Sequence, residues 1–260
     1  MDRDRRDRED APREYLYGVH PVEEALAADS RRVERILVAR EAEDNRLGRI
    51  LKEARKAGIP ITRLPKEGLA RKAGRKAVHQ GVVAVVSPVR YLEPAEIART
   101  SMESGHGLLV LLSGVEDPRN LGAVIRSAAA AGADGVILTG ETAAGVTPGA
   151  VKTSAGAAER VPVGRDRKPV RAIRELKQAG FSVIAMDHRA DLAWDQVDLD
   201  GPVVLVAGGE GRGLSRSVAM ECHHRVALPL AAEVESLNLS VAVGILLYEV
   251  LRQRKDRVSR

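Results

Sequence analysis

The sequence predicts an α/β protein: a mostly parallel β-sheet, preceded by a small α/β domain. Two observations carry this. Between residues 107 and 260, short apolar runs alternate with segments of helical periodicity, the pattern of strands joined by helical crossovers and covered on both faces. Between residues 13 and 88 a shorter alternation occurs. The stretch from Pro88 through Pro94 to Gly107 separates the two with a short helical pattern and the flexible Ser-Gly-His-Gly, which marks residues 89–106 as a linker.

Residues 1–12 are mostly Asp and Arg with almost no apolar side chain, which predicts a disordered tail. A helix opens over Val19–Leu26, with Pro21 near its start. Val33–Val38 reads as a short strand. Asn45–Ala57 has helical spacing at Leu47, Ile50, Leu51 and Ala54 and stops at Gly58. Ile61–Leu64 is a second strand, placed at an edge by Pro60 and Pro65. Gly81–Val86 is apolar enough to be central. In the larger domain, strands are expected at Leu108–Leu112, Gly135–Leu138, Arg160–Val163, Ser182–Met186, Val203–Ala207 and Arg225–Leu230. Helices are expected at about 120–131, 168–179, 214–221 and 237–253.

Composition narrows the function. Only 2% of the 260 residues are aromatic, which argues against binding single strands by base stacking. The lone Cys222 excludes a disulfide framework and a cysteine-rich zinc site. No metal is implied, since the six His show no ligand spacing, His223-His224 being merely adjacent. No apolar run approaches the roughly 18 residues of a membrane span, and the N-terminus does not read as a signal peptide; a cytoplasmic protein is expected. The net charge of +5 is unevenly spread. Residues 1–30 carry 5 basic and 9 acidic side chains, residues 31–80 carry 15 and 6, and residues 81–260 carry 21 of each. The excess is densest at Arg71, Lys72, Arg75 and Lys76, which points to a polyanion such as RNA.

In parallel sheets ligands bind in the loops beyond the strand C-termini, and three such loops stand out. In Leu112–Arg126, Asn120 is placed to cap the next helix, Gly122 permits close approach, and Arg126 lies in an otherwise apolar helix. In Val203–Leu214, a buried strand runs into four glycines and Glu210. This fits neither G-x-G-x-x-G nor a Walker A loop; it suggests backbone amides lining a ligand, and the carboxylate argues against a phosphate there. In the third, Ala227–Leu230 is followed by Glu235–Ser240 and an almost wholly apolar helix, Val241–Leu251. Ser236 or Asn238 can cap that helix, and burial on more than one side suits a partner subunit. Taken singly, each loop also reads as ordinary structure: a capped helix with a surface arginine, a glycine turn, a core helix.

Together the segments NLGAVIR, AGGEGRG and LPL…ESLNLSVAVGILLYE resemble the three motifs of the SpoU-type RNA ribose 2′-O-methyltransferases of the SPOUT superfamily. YLYGVHPVEEAL and VHQGVVAVV resemble the substrate-binding module of the bacterial 23S rRNA guanosine-2′-O-methyltransferase branch. The resemblance covers residues 14–253. It implies a knotted methyltransferase domain over 107–260, with a C-terminal trefoil knot holding S-adenosylmethionine (SAM), an RNA-binding domain over 13–88, and a homodimer. By position, Gly208, Leu228 and Leu237 resemble cofactor-binding residues, and the backbone of Ala207, Gly208, Gly209 and Gly213, with that of Leu228, Pro229 and Leu230, would surround the cofactor. Arg126 matches the catalytic arginine; Asn120, Glu210, Ser236 and Asn238 match the other polar motif residues.

The implied reaction places a ribose 2′-oxygen about 3 Å from the methyl carbon and assists loss of its proton. A guanidinium with a pKa above about 12 is a poor base. Arg126 is therefore expected to grip the ribose and its phosphate and lower the hydroxyl pKa, whether or not it takes the proton. Within the family a tRNA or antibiotic-resistance rRNA methyltransferase is the alternative. A non-catalytic RNA-binding assembly factor is a further one, against which the intact Asn120, Arg126, Glu210 and Asn238 argue.

Overall fold

The structure, a computed structural model, describes residues 13–28, 31–42, 44–105, 107–211, 213–231, 234 and 236–258. The tail at 1–12, expected to be disordered, lies outside the described residues. The chain divides into two units, Met1–Arg90 with Val151–Arg160, and Tyr91–Ala150 with Val161–Arg260.

The first unit contains β1 (Glu14–Tyr17), α1 (Val19–Ala27), β2 (Val33–Ala39), α2 (Asp44–Lys56), β3 (Ile61–Leu64), α3 (Lys66–Ala73) and β4 (Val82–Val86). The sheet order is β1-β4-β2-β3. β4 is central and antiparallel to both neighbours, while β3 pairs parallel at the edge. The apolar face of α2 is Leu47, Ile50, Leu51 and Ala54, all buried. Of α3 only Leu69 is buried, so a helix dominated by charged side chains left almost no apolar period to read.

Residues 151–160, expected in the larger domain, cluster instead with this unit. The Arg31 guanidinium, with 1% of its side chain exposed, donates to Glu159 at 2.9 Å and to Glu14 at 2.8 Å. Gly156 sits where a Cβ would approach Glu24 Cγ to 2.5 Å. The buried Arg31–Glu159 pair ties this segment to the start of the β2 strand region, and the missing side chain at 156 lets it approach α1.

The second unit holds α4 (Pro94–Ser104), β5 (Leu108–Ser113), α5 (Pro118–Ala130), β6 (Gly135–Thr139), the start of α6 (Pro148–Thr153), β7 (Val163–Asp166), α7 (Pro169–Gln178), β8 (Ser182–Met186), β9 (Leu192–Ala193), β10 (Val203–Gly208), α8 (Arg216–Glu221), β11 (His224–Ala227) and α9 (Leu239–Val258). The sheet order is β7-β6-β5-β10-β8-β11-β9, with every pairing parallel. Residues 108–112 and 203–207 are buried throughout, as strands covered on both faces require.

Three expectations are corrected. The supposed linker is largely α4: Ile97 and Ala98 join the core, and the Ser101 and Ser104 hydroxyls donate to Asp134 at 2.6 and 2.8 Å. The strand expected at Arg160–Val163 begins at Val163, after Pro162, which has no N–H to donate. The strand expected at Arg225–Leu230 ends at Ala227, ahead of Pro229. Among the described residues no helix is long and apolar enough to cross a membrane.

Candidate active site

The glycine-rich loop leaves β10 between β5 and β8 and turns back on itself. A Cβ at Gly208 would stand 2.2 Å from the Gly213 carbonyl carbon, and one at Gly209 would stand 2.3 Å from the Gly114 oxygen. Backbone therefore packs on backbone. The Gly209 N–H donates to the Ser113 carbonyl at 3.0 Å, and the Gly213 N–H to the Gly209 carbonyl at 3.1 Å.

Beside this loop lies a cleft of about 500 Å³, within the range of small-molecule sites. Of the residues expected at the cofactor, Ala207, Gly208, Gly209 and Gly213 line it from the loop, and Leu228, Leu230 and Leu237 from beyond β11. Pro229 does not line it and is exposed. Ser236, Glu210 and Asn238 complete the polar rim. Sequence reasoning missed Met186, Asp187 and His188 at the C-terminal end of β8, and Leu239, Ala242 and Leu246 on α9. The rule that ligands sit beyond strand C-termini applied to β8 as well, but a loop without glycine drew no notice. Asp187 is buried and accepts the Arg189 backbone N–H and Nε, both at 3.1 Å.

Asn120, Glu210 and Asn238, though 90 and 118 residues apart in pairs, form one hydrogen-bonded group. Asn120 Nδ2 donates to Glu210 Oε1. Asn238 Nδ2 donates to Asn120 Oδ1 at 3.0 Å and to Glu210 Oε1 at 3.4 Å. Asn238 Oδ1 in turn accepts from the Ser240 N–H at 2.9 Å and hydroxyl at 2.6 Å, so Asn238 both caps α9 and joins the group. Asn120 does not cap α5. Asp117 does, accepting the Arg119 N–H at 2.9 Å, and this leaves the Asn120 side chain for Glu210. Beyond the group lies a second cavity of about 700 Å³, lined by polar residues including Ser113, Asp117, Asn120, Thr142 and Ser215. Glu210 lines both cavities. The three side chains thus lie between the two cavities, Glu210 lining both, Asn238 the first and Asn120 the second.

Arg126 is not brought into this group. It is exposed on α5, six residues and so about 9 Å along the helix from Asn120, and lines neither cavity. α5 packs on α9. α9 buries Val243, Leu246, Leu247 and Val250, while Val241 and Tyr248 on its other side are 50% and 57% exposed. The apolar helix expected to be covered on two sides is therefore covered on one within the chain.

In the first unit, Arg71, Lys72, Arg75 and Lys76 are all exposed. Lys72 Nζ donates to the Tyr15 hydroxyl at 3.3 Å and lies 5.2 Å from the ring centre. None of the four has a carboxylate partner among the described residues.

The family model described as the SpoU rRNA Methylase family matches residues 107–248. A second, described as RNA 2′-O ribose methyltransferase substrate binding, matches residues 15–92. The "Uncharacterized tRNA/rRNA methyltransferase" of Mycobacterium ulcerans is 39% identical, over 93% of this chain and 78% of its own length. Its namesake in Mycolicibacterium vanbaalenii is 40% identical, over 94% and 77%. Among solved structures, the AdoMet-bound rRNA methyltransferase from Sinorhizobium meliloti superposes with a TM-score of 0.78 at 27% identity, covering 96% of this chain and 90% of that one. The SpoU methyltransferase AviRb from Streptomyces viridochromogenes, in complex with AdoMet, does so with a TM-score of 0.74 at 26% identity, covering 97% and 94%.

Proposed function

The chain belongs to the SpoU rRNA methylase family, and on that premise we propose that it methylates the 2′-hydroxyl of a ribose in RNA, a guanosine of 23S rRNA. It is a SAM-dependent RNA methyltransferase. The observation that supports 2′-hydroxyl methylation is the Asn120–Glu210–Asn238 group between the two cavities.

The residues present fit the cofactor. The cleft is lined by glycine backbone folded so tightly that a Cβ at Gly208 would collide with the Gly213 carbonyl carbon. Leu228, Leu230 and Leu237 offer apolar contact, and Glu210 offers negative charge to a cationic ligand. When bound, SAM supplies an electrophilic methyl group on a positively charged sulfur. Asn120 and Asn238 hold Glu210 in a single orientation through two amide donors, and Glu210 accepts a hydrogen bond from a hydroxyl placed beside it. Ser236 adds a hydroxyl at the rim. Arg126 grips the ribose and its phosphate rather than serving as a simple base.

Arg126 lines neither cavity of its own chain, so this reading includes a homodimer packed through the open side of α9 and the adjoining α5, which brings Arg126 of one copy to the cleft of the other. The exposed Val241 and Tyr248 support that interface. The reading also includes a trefoil knot around the cofactor, a cytoplasmic location, and RNA capture by Arg71, Lys72, Arg75 and Lys76. The tRNA/rRNA wording of the relatives' names keeps tRNA as a second reading.

Tritiated methyl transfer from SAM to transcribed 23S rRNA and to tRNA, followed by mass-spectrometric mapping of ribose methylation, tests this. The expected result is one methylated guanosine in 23S rRNA, with Glu210→Gln slower by about 10²-fold, the scale of misplaced reacting groups. Methyl on a base, or on tRNA alone, overturns the assignment.

A further inference from the structure

We infer that a basic cavity beside β11 is an RNA phosphate-binding site of the second unit. It rests on the RNA-methyltransferase reading and deepens it by naming where that unit holds the substrate backbone. The cavity, about 740 Å³, is lined by Asp187, Arg189, Arg216, His223 and Arg225, with Leu214 and Cys222 among its apolar lining.

Its charge is the first argument. Arg189 Nε lies 3.1 Å from Asp187, and the Arg225 guanidinium lies 3.8 Å from the same carboxylate. Arg216 has no hydrogen bond or ion pair among the described residues. Close by, Arg174 and Lys177 share Glu221, at 3.0 and 3.5 Å. In the cavity's own lining, three arginines thus answer to the single carboxylate of Asp187. Like charges gathered at one concavity repel one another, and the arrangement is relieved when an anion enters.

The donor set is the second argument. Guanidinium forks match phosphate oxygens in pairs, unlike the point charge of lysine. His223 Nδ1 accepts the Val183 N–H at 3.0 Å, which leaves the ring proton on Nε2 as a neutral donor. Burial pushes the Cys222 thiol up to about 12, so the cavity offers no nucleophile and reads as a binding site.

The third argument is position. Asp187 lines both this cavity and the proposed cofactor cleft. A phosphate held by Arg216 and Arg225 lies across Asp187 from that cleft and fixes the RNA strand beside it. It also explains how a unit with 18 basic and 20 acidic side chains engages RNA at all.

The test uses the full-length protein, with Arg216→Gln, Arg225→Gln, the double variant, and Arg99→Gln as an exposed control paired only with Glu103. Binding of transcribed 23S rRNA is measured against salt, and SAM affinity by calorimetry. Each single variant is expected to lower the slope of log K against log salt by about 1. The double variant weakens binding at moderate salt by about tenfold or more, with SAM affinity unchanged. Slopes and affinities equal to those of Arg99→Gln overturn the site. A fall in SAM affinity with RNA binding intact also overturns it, assigning the cations to the cofactor's carboxylate. In a second arm, pyrophosphate is titrated while the His223 ring resonances are followed. A response in the wild type that is lost in the double variant supports the anion site even if wild-type protein fails to bind rRNA, in which case the RNA reading fails and the site stands. No response in either arm overturns both.

Discussion

The basic patch of the first unit and the ion-paired arginines of the second handle positive charge in opposite ways. On α3 and the turn after it, four cations stand exposed without carboxylate partners among the described residues. In the second unit, Arg171 is tied to Asp166, Arg174 to Glu221, and Arg252 to both Glu249 and Asp256. The net charge of a unit therefore counts its unpaired cations and says little about where an anion binds. The contrast extends to function. The first unit spreads attraction over interchangeable side chains, each of which contributes little. The second concentrates its chemistry in backbone contacts and in one three-residue group, where each position has a single geometric solution. Substitution should therefore be steep in one unit and shallow in the other.

The largest effect is expected at the steep end. In Gly208→Ala the new Cβ would stand 2.2 Å from the Gly213 carbonyl carbon, and since the obstacle is backbone, the loop itself must move. SAM binding should weaken by 100-fold or more, on the order of the loss from misplaced site groups. Stability should fall by about 1–3 kcal/mol, the range for overpacking. Calorimetry and thermal unfolding read the two. Unchanged SAM affinity would break the contrast, because it would mean that the loop yields freely.

At the shallow end, replacing Arg71, Lys72, Arg75 and Lys76 together by Gln should lower the salt slope of rRNA binding by about 3 to 4 and weaken binding by about 10²-fold or more. Each single replacement should cost only severalfold, and SAM affinity should not change. If one single variant reproduces the loss of all four, the patch is a dedicated site and the contrast with the second unit disappears.

Legibility followed the same division. β5, β8 and β10 were readable because strands buried on both faces carry unbroken apolar runs. The glycine loop was readable because backbone contact tolerates no other residue at 208 and 209. α3 was not, since Leu69 alone reports its buried side. α4 passed for a linker because Ala98 and Ser101 are buried beside Ile97, and small side chains blur a helical period. Asn120, Glu210 and Asn238 were each picked out by motif, but their mutual hydrogen bonds depend on three loops converging, which no local pattern reports. Asp187 was missed because its importance comes from lying between two cavities. Arg126 was identified by position, yet its exposure and distance from Asn120 emerge only from the helix geometry.

A pH measurement sharpens the contrast for the paired cations of the second unit. The two Arg252 hydrogen bonds, at 2.8 and 2.7 Å, hold the buried Glu249 carboxyl below the usual carboxylate range, and Gln253 adds a third donor at 2.8 Å. A carboxyl whose pKa is depressed on folding contributes stability above its unfolded value, about 4.3. That contribution is lost as pH falls through the lower folded value. Thermal unfolding across that acid range should therefore show a shallower loss for Glu249→Gln than for the wild type. The fourfold variant at residues 71, 72, 75 and 76 should keep the wild-type acid limb, because its cations have no carboxylate to lose among the described residues.

The smallest effect concerns Cys222, which lies near both Lys177 and Glu221. A free lysine ammonium beside a thiol favours the thiolate and makes it reactive. Here burial is the larger influence and Lys177 is already engaged by the Glu221 carboxylate and carbonyl, at 3.5 and 2.8 Å. The thiol is accordingly pushed up to about 12. At pH 8 its thiolate fraction is on the order of 10⁻⁴, so labelling by a disulfide reagent should run roughly 10²–10³-fold slower in the native protein than in denaturant. Glu221→Gln should recover a little of that rate by releasing Lys177 toward the sulfur. Rapid native labelling without the substitution would mean that the cation is not committed, and the distinction between paired and unpaired charge would then fail at the point where burial ought to enforce it most.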